Sequence, residues 1–294
     1  MKFVIYGPHY EDTAGGVIAL YKLCRVLSDM GHDAKIWHWT RYHPFESRVI
    51  NGKFSTYFAY ADEIKVVDDF HEFTYEHASL EDVDDSIVVY PEIVEGNPLG
   101  ARRVVRWLLN APGALSGTAA YGVDELFFHY SEVFVPKHWE KLSNRELRLE
   151  EWMTDTYAKT NFGPRDGVCY MIRKGYERPL DSHPAGAILV DDLSHHEVAA
   201  VFNRCEQFIS YDIYTAYTTY AALCGCDSIV VPSPEIDPEE WRRACPSGVA
   251  YGFDDVARAR RTVPDLIMYI DAAEGRNYRM VMNFLAECRE YFKL

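Results

Sequence analysis

Positive charge is scarce in this 294-residue sequence: 30 Lys plus Arg stand against 45 Asp plus Glu, a formal net charge of −15. A surface so acidic repels phosphate backbones and anionic headgroups, so nucleic acid is excluded as a partner and any membrane association is peripheral. Long apolar runs are missing too. The run after Lys2 stops at Gly7-Pro8, well short of a signal-peptide core or a membrane span, and the reduced, buried thiols expected of its cysteines suit a cytoplasmic protein. The seven cysteines are an odd number. Cys224 and Cys226 lack the two-residue spacer of a zinc knuckle, and no matching pair follows at ligand spacing, so reduced, buried thiols and no metal site are expected. The segment GPHYEDTAGG lacks the three spaced glycines of a dinucleotide fingerprint, which sets a Rossmann oxidoreductase last among the readings. No internal repeat or low-complexity tract is visible.

What is present suits a globular, soluble protein that binds a small molecule. Hydrophobic residues make up 48% of the chain, enough for a normal core, and the length suggests two domains. The run FVIY (3–6) ends at Gly-Pro as a buried parallel strand would. Val17, Leu20, Tyr21, Cys24 and Leu27 then form a helical stripe that Gly31 stops, and AKIWHW supplies a second strand. DSIVVYPE (85–92) reads as a strand, ARRVVRWLL (101–109) as an amphipathic helix, and LFFHYSEVFVP (126–136) as one or two strands. The polar stretch 137–165 reads as a linker. After it VCYMIRKG, AILVDD, QFISYD and SIVVP read as strands. Between them, SHHEVAAVFNRC reads as a helix with Ser194 as N-cap and Glu197 closing a capping box, and TAYTTYAALCG as a helix closed by Gly225. NYRMVMNFLAECREYF is a terminal helix. The implied fold is α/β, with two Rossmann-like doubly wound domains facing a cleft. We expect a first domain over 1–145, a second over 160–275, and a terminal helix over 276–294 that packs back across the junction.

Four segments carry a family resemblance. GGVIALYKLCRVLSDMGHDAKIW resembles the first βαβ unit of two-domain GT-B nucleotide-sugar glycosyltransferases, in which a glycine pair opens a helix and Gly-His ends it, and VVRWLLNAPG resembles members of the bacterial polysaccharide-assembly type. YDIYTAYTTYAALCGCDSIVVP resembles their donor-binding element, which carries two glutamates eight positions apart before a glycine. Asp212 stands at the first of these and Tyr220 at the second, where a phenol offers one donor or acceptor in place of a carboxylate. VCYMIRKG resembles the strand and basic turn whose Arg and Lys contact the donor diphosphate, here Arg173 and Lys174.

The resemblance implies glycosyl transfer from a nucleotide sugar to a glycan, glycolipid or polysaccharide acceptor. It needs no cofactor beyond the nucleotide-sugar co-substrate, and no metal if Arg173 and Lys174 neutralise the leaving diphosphate. Gly15 and Gly16 would bring backbone N–H groups to phosphate at a helix start. Asp212, Tyr214 and Thr215 would hold the sugar and its phosphates in a Tyr-rich turn, Asp212 also being a catalytic candidate. An acceptor-side base would come from the first domain, with His9 and Glu92 as candidates after strand ends and Glu95, Asn97 and Arg106 as acceptor contacts. Acidic pairs such as Asp68-Asp69, Asp84-Asp85, Asp191-Asp192 and Asp254-Asp255 read as capping or solvated groups. The alternatives are a noncatalytic sugar- or nucleotide-binding subunit, favoured by Tyr220, and a nucleotide-sugar epimerase. Donor base, sugar, anomeric outcome and oligomeric state stay open.

Overall fold

The computed structural model describes residues 1–10, 12, 14–39, 47–50, 53–56, 75–115, 117–136, 139, 145–245 and 247–294. Asp68 and Asp69 lie outside them. The chain forms two units, one comprising Met1–Glu151 with Ala273–Leu294 and the other Trp152–Ala272.

The first unit opens with β1 (Lys2–Pro8), buried on both faces after its first residue, as a central parallel strand requires. Helix α1 (Gly15–Asp29) follows, and β2 (Asp33–Trp39) pairs with β1 in parallel. A separate antiparallel hairpin joins β3 (Ser47–Ile50) to β4 (Lys53–Thr56). Then come β5 (Glu76–His77), the short α2 (Leu80–Val83), β6 (Ile87–Pro91), β7 (Arg103–Leu108) and β8 (Leu126–His129). The six-stranded sheet runs β5-β2-β1-β6-β7-β8, and every pairing in it is parallel. Taken in chain order this is 3-2-1-4-5-6, whose order reverses between β1 and β6.

Residues 103–108 are a strand where a helix was expected. The apolar spacing mimics a helical stripe, but Val104 and Val105 are β-branched and the segment is buried on both faces, Arg106 included. Phe3, Ile5, Val89, Val105 and Trp107 point into one core with α1, while Val4, Tyr6, Val88, Tyr90 and Val104 point into a second.

The second unit holds β9 (Val168–Met171), β10 (Ile188–Leu189), α3 (His195–Arg204), β11 (Gln207–Ser210), α4 (Ala216–Cys224), β12 (Asp227–Val230), α5 (Pro238–Ala244), β13 (Val249–Tyr251) and α6 (Val256–Asp271). Its sheet is parallel throughout, in the order β10-β9-β11-β12-β13. Chain order is here 2-1-3-4-5, and the reversal lies between β9 and β11. Ser194 and Glu197 form the expected capping box on α3, and Gly225 ends α4 at φ 93°, a left-handed conformation that favours glycine. Helix α6, with Pro264 inside it, was not anticipated from the sequence.

The terminal helix α7 (Ala273–Phe292) belongs to the first unit. Val281, Phe284, Leu285 and Cys288 sit in its core, and Phe284 lies 5.7 Å from Phe3 and 5.0 Å from Phe128, ring centre to ring centre. Buried Lys22 on α1 pairs with Glu151 at 2.6 Å and with Glu274, which ties the start of α7 to α1. The boundary between the units falls inside 137–165, and the described part of that stretch is anchored on both sides. Leu147 and Leu149 are core residues of the first unit and Tyr157 of the second, so apolar side chains anchor a stretch whose polar composition suggested a tether.

Candidate functional site

In open parallel sheets, ligands gather beyond the carboxyl ends of the strands at the point where strand order reverses. Each unit has one such point, and the expected residues divide between them.

In the first unit β1 and β6 pair from Phe3–Ile87 to Ile5–Val89, so His9 and Glu92 leave adjacent strand ends. Glu92 is 3% exposed, and its Oε2 accepts the backbone N–H of Leu109 at 2.9 Å. Burial raises its carboxyl to about 7, against the opposing pull of backbone hydrogen bonds and of Arg106. A carboxyl poised there can hold or release a proton near neutrality, which is what a general base requires. The phenol of Tyr121 donates to the Glu92 carbonyl at 2.6 Å.

His9 is half-buried in a cluster that sequence reading missed, because its members come from separate strands. The ring of His38 lies 4.6 Å from that of His9 and 4.8 Å from that of His77, with Tyr21 and Tyr75 beside it. Burial, then the neighbouring imidazoles, hold His38 down to about 3. Burial and His77 lower His9 as well, so His9 is neutral at physiological pH and able to accept a proton.

Arg106 and Asn97 are both engaged within the unit, Arg106 inside it and Asn97 at its surface. Arg106 is fully buried, forked onto Glu125 at 2.8 and 3.0 Å, and donates to the carbonyls of Pro91, Val94 and Gly96. It braces the loop after β6. Asn97 bonds Tyr90 and both backbone groups of Ala101, and Glu95 is exposed.

Gly15 and Gly16 begin α1, whose N-cap position is held by Ala14, a residue with no side-chain acceptor. A Cβ at Gly15 would meet nothing within 4 Å, and one at Gly16 would make an ordinary 3.6 Å contact with Leu109. Packing inside the unit therefore does not demand glycine at either position.

In the second unit β9 and β11 pair through to Met171–Ser210, so residues 172–175 and 211–213 leave the sheet side by side. A Cβ on Gly175 would lie 2.4 Å from the carbonyl oxygen of Tyr211, so the basic turn and the Asp212 segment touch through their backbones, and glycine is required. The Arg173 guanidinium stands 4.7 Å from the ring centre of Tyr217, in the first turn of α4. Lys174 is exposed. Neither cation makes an ion pair among the described residues. Asp212 is 5% exposed and accepts the N–H of Tyr214 at 3.2 Å, while Thr215 caps α4 by accepting the N–H of Tyr217. Tyr214 is half exposed.

Tyr220 is a correction. It is 4% exposed and stacked on Tyr157 at 4.1 Å, so it is a core residue with one ring face occupied, where a donor-binding residue was expected. His195, the first residue of α3, lies beside the Arg173–Tyr217 contact through Tyr217. It stacks on Tyr217 at 5.6 Å, shares a 2.5 Å hydrogen bond with Tyr157, and sits just after the Ser194 cap beyond a strand end.

Among the described residues, no group of three or more His, Cys, Asp or Glu is arranged to hold a metal ion. The sequence's one Asp-x-Asp spacing, Asp82 to Asp84, falls in and just after α2, where Asp82 bonds Ser79 and pairs with Lys35 at 2.7 Å. Asp255 caps Tyr251 N–H, as its place at an element edge suggests. No helix of the described residues is long and apolar enough to cross a membrane.

No protein-family model matches the chain, and none of the curated proteins does. Among solved structures the chain is similar to MurG of Acinetobacter baumannii, at 11% identity and a TM-score of 0.35, over 99% of this chain and 95% of that one. It is also similar to T4 phage BGT, solved in complex with its UDP-glucose substrate, at 12% identity and a TM-score of 0.39, over 99% of this chain and 97% of that one. Likenesses of this degree carry no argument about ligand or reaction.

Proposed function

We propose that the chain is a metal-independent glycosyltransferase of the GT-B type, which moves a sugar from a nucleotide-sugar donor to a glycan or glycolipid acceptor in the cytoplasm. The observation that carries this reading is electrostatic. In a chain with 15 excess acidic charges, Arg173 and Lys174 stand without an ion-pair partner among the described residues, at the carboxyl edge of a parallel sheet. Arg173 also lies against the N-terminal turn of α4, whose partial charge is itself positive. An anion of high charge, as a nucleoside diphosphate is, would give both cations a partner.

Glycosyl transfer breaks an anomeric C–O bond and leaves negative charge on the departing diphosphate. Arg173, Lys174 and the N–H groups of α4's first turn would stabilise that charge. Asp212, held by the Tyr214 N–H, would orient a donor hydroxyl. For an inverting reaction Glu92 would take the acceptor's proton, its raised carboxyl matching the task near neutral pH. His9 is the second candidate. Tyr220 in the core favours one other reading, a noncatalytic nucleotide-binding subunit, because the position lacks the carboxylate expected to hold the ribose.

The test is calorimetric titration with UDP, GDP, CDP, ADP and dTDP in EDTA, followed by assay of sugar release from the corresponding nucleotide sugars. One nucleotide should bind, and Lys174→Ala should weaken it about tenfold or more, the loss of a charge-assisted contact. Binding without sugar release would favour the noncatalytic subunit, and silence across the panel would refute both.

A further inference from the structure

The basic turn after β9 has an unusual backbone. Arg173 adopts φ +37°, in the left-handed region that side chains other than glycine and asparagine rarely occupy. An arginine kept in such a conformation must be held there by its surroundings. On one side the constraint is Gly175, packed against the Tyr211 carbonyl so closely that no Cβ fits. On the other it is Asp191, the second residue after β10. Its Oδ1 accepts the Ile172 N–H at 3.0 Å and its Oδ2 the Arg173 N–H at 2.9 Å.

This arrangement is chemically specific. A carboxylate close to an arginine would ordinarily pair with the guanidinium. Here both oxygens face backbone N–H groups, and the guanidinium turns instead over Tyr217 at 4.7 Å, at the start of α4. The acidic group thus fixes the turn without neutralising the cation that the turn displays. We propose that Asp191 is a positioning residue for anion binding: by bridging the Ile172 and Arg173 N–H groups, it presets the Arg173–Lys174 turn with its cations displayed for a diphosphate. The diphosphate rests on the function proposed above, whereas the presetting of the turn does not.

The experiment uses Asp191→Asn in the full chain, which keeps the side-chain size but can accept from only one of the two N–H groups with proper geometry. The first readout is the NMR signal of the Arg173 side chain, assigned with Arg173→Ala and expected upfield in the unaltered protein because the guanidinium lies over a tyrosine face. In Asp191→Asn this shift should collapse, with the melting temperature moved only slightly. The second is calorimetric affinity for inorganic pyrophosphate, expected to fall about tenfold in Asp191→Asn. In Lys174→Ala the affinity should fall while the Arg173 signal stays in place.

An unaltered Arg173 signal and unaltered affinity in Asp191→Asn would overturn the proposal. Should that variant fail to fold, amide exchange in the unaltered protein decides: protected Ile172 and Arg173 amides support the bridge, and exchange at unprotected rates overturns it. If the Arg173 signal collapses as expected but the unaltered protein binds no pyrophosphate, the positioning role stands and the diphosphate reading fails.

Discussion

Replacing Glu92 by glutamine should make the protein more stable and less active, and the gain should depend on pH. The carboxyl titrates near 7 in the folded chain against an ordinary value of 4.5, because burial penalises its charged form. Below the ordinary value it is protonated in both states and costs nothing. As pH rises from 4.5 toward 7 the unfolded chain ionises it freely while the folded chain resists, so stability is lost across that window and stays lost above it. The full penalty is 2.5 pH units, from 4.5 to 7, or about 3 kcal/mol at 1.36 kcal/mol per unit.

Glutamine does not titrate, and its Oε1 can still accept the Leu109 N–H. The stability difference between Glu92→Gln and the unaltered chain should therefore grow by about 3 kcal/mol between about pH 4.5 and about pH 8. For a unit of this size, that shifts the unfolding midpoint by roughly 6–12 °C. Any hydrogen bond lost to the amide adds a constant offset, so the slope of the difference against pH is the quantity to read. Thermal or urea unfolding across that range measures it, and parallel lines for the two proteins would refute the burial argument. If Glu92 is also the base, sugar transfer should fall about a hundredfold or more in the same variant.

Other expectations follow from the same contacts. His38 is held down to about 3 from 6.5, so the stability it confers is full above 6.5 and drains away as pH falls toward 3, by about 2 kcal/mol at pH 5; acid unfolding of His38→Phe should show a shallower slope, and an unchanged slope would sink the assignment. Gly15→Ala should raise helix stability by about 0.5–1 kcal/mol, since a Cβ there meets nothing. A simultaneous loss of nucleotide affinity would place ligand close to that backbone, and unchanged affinity would make Gly15 a plain helix start. Tyr220→Glu, which installs the carboxylate expected by resemblance, should destabilise the second unit by about 3 kcal/mol or more, because it buries a charge in the Tyr157 stack. A variant of undiminished urea midpoint with tighter nucleotide binding would show that the position faces ligand after all.

The parts of this fold legible in the sequence are those whose cause is local. Strands such as IVVYP and FVIY are apolar on both faces because parallel strands are covered on both sides, and Ser194 with Glu197, Thr215 and Gly225 mark helix ends within one turn. The failures have distant causes. Residues 103–108 read as a helix because nothing near Arg106 reveals Glu125, the partner that lets an arginine be buried in a strand. Pro264 obscured the apolar stripe Ala259, Leu266 and Ile270 of α6.

The site divides in the same way. His9 and Glu92 in one unit, and Arg173, Lys174 and Asp212 in the other, could be picked out because each follows a strand, and each parallel sheet gathers such residues at the carboxyl ends of its own strands. Their surroundings could not. Tyr220 is placed inside by Tyr157, Glu92 is tuned by burial and opposed by the Leu109 N–H, and the Arg173 turn is set by Asp191, which follows a different strand. A sequence thus announces which groups reach the carboxyl edge of a parallel sheet. Their protonation and aim are decided by partners from other strands, and the Asp191 and Glu92 variants test those two properties separately.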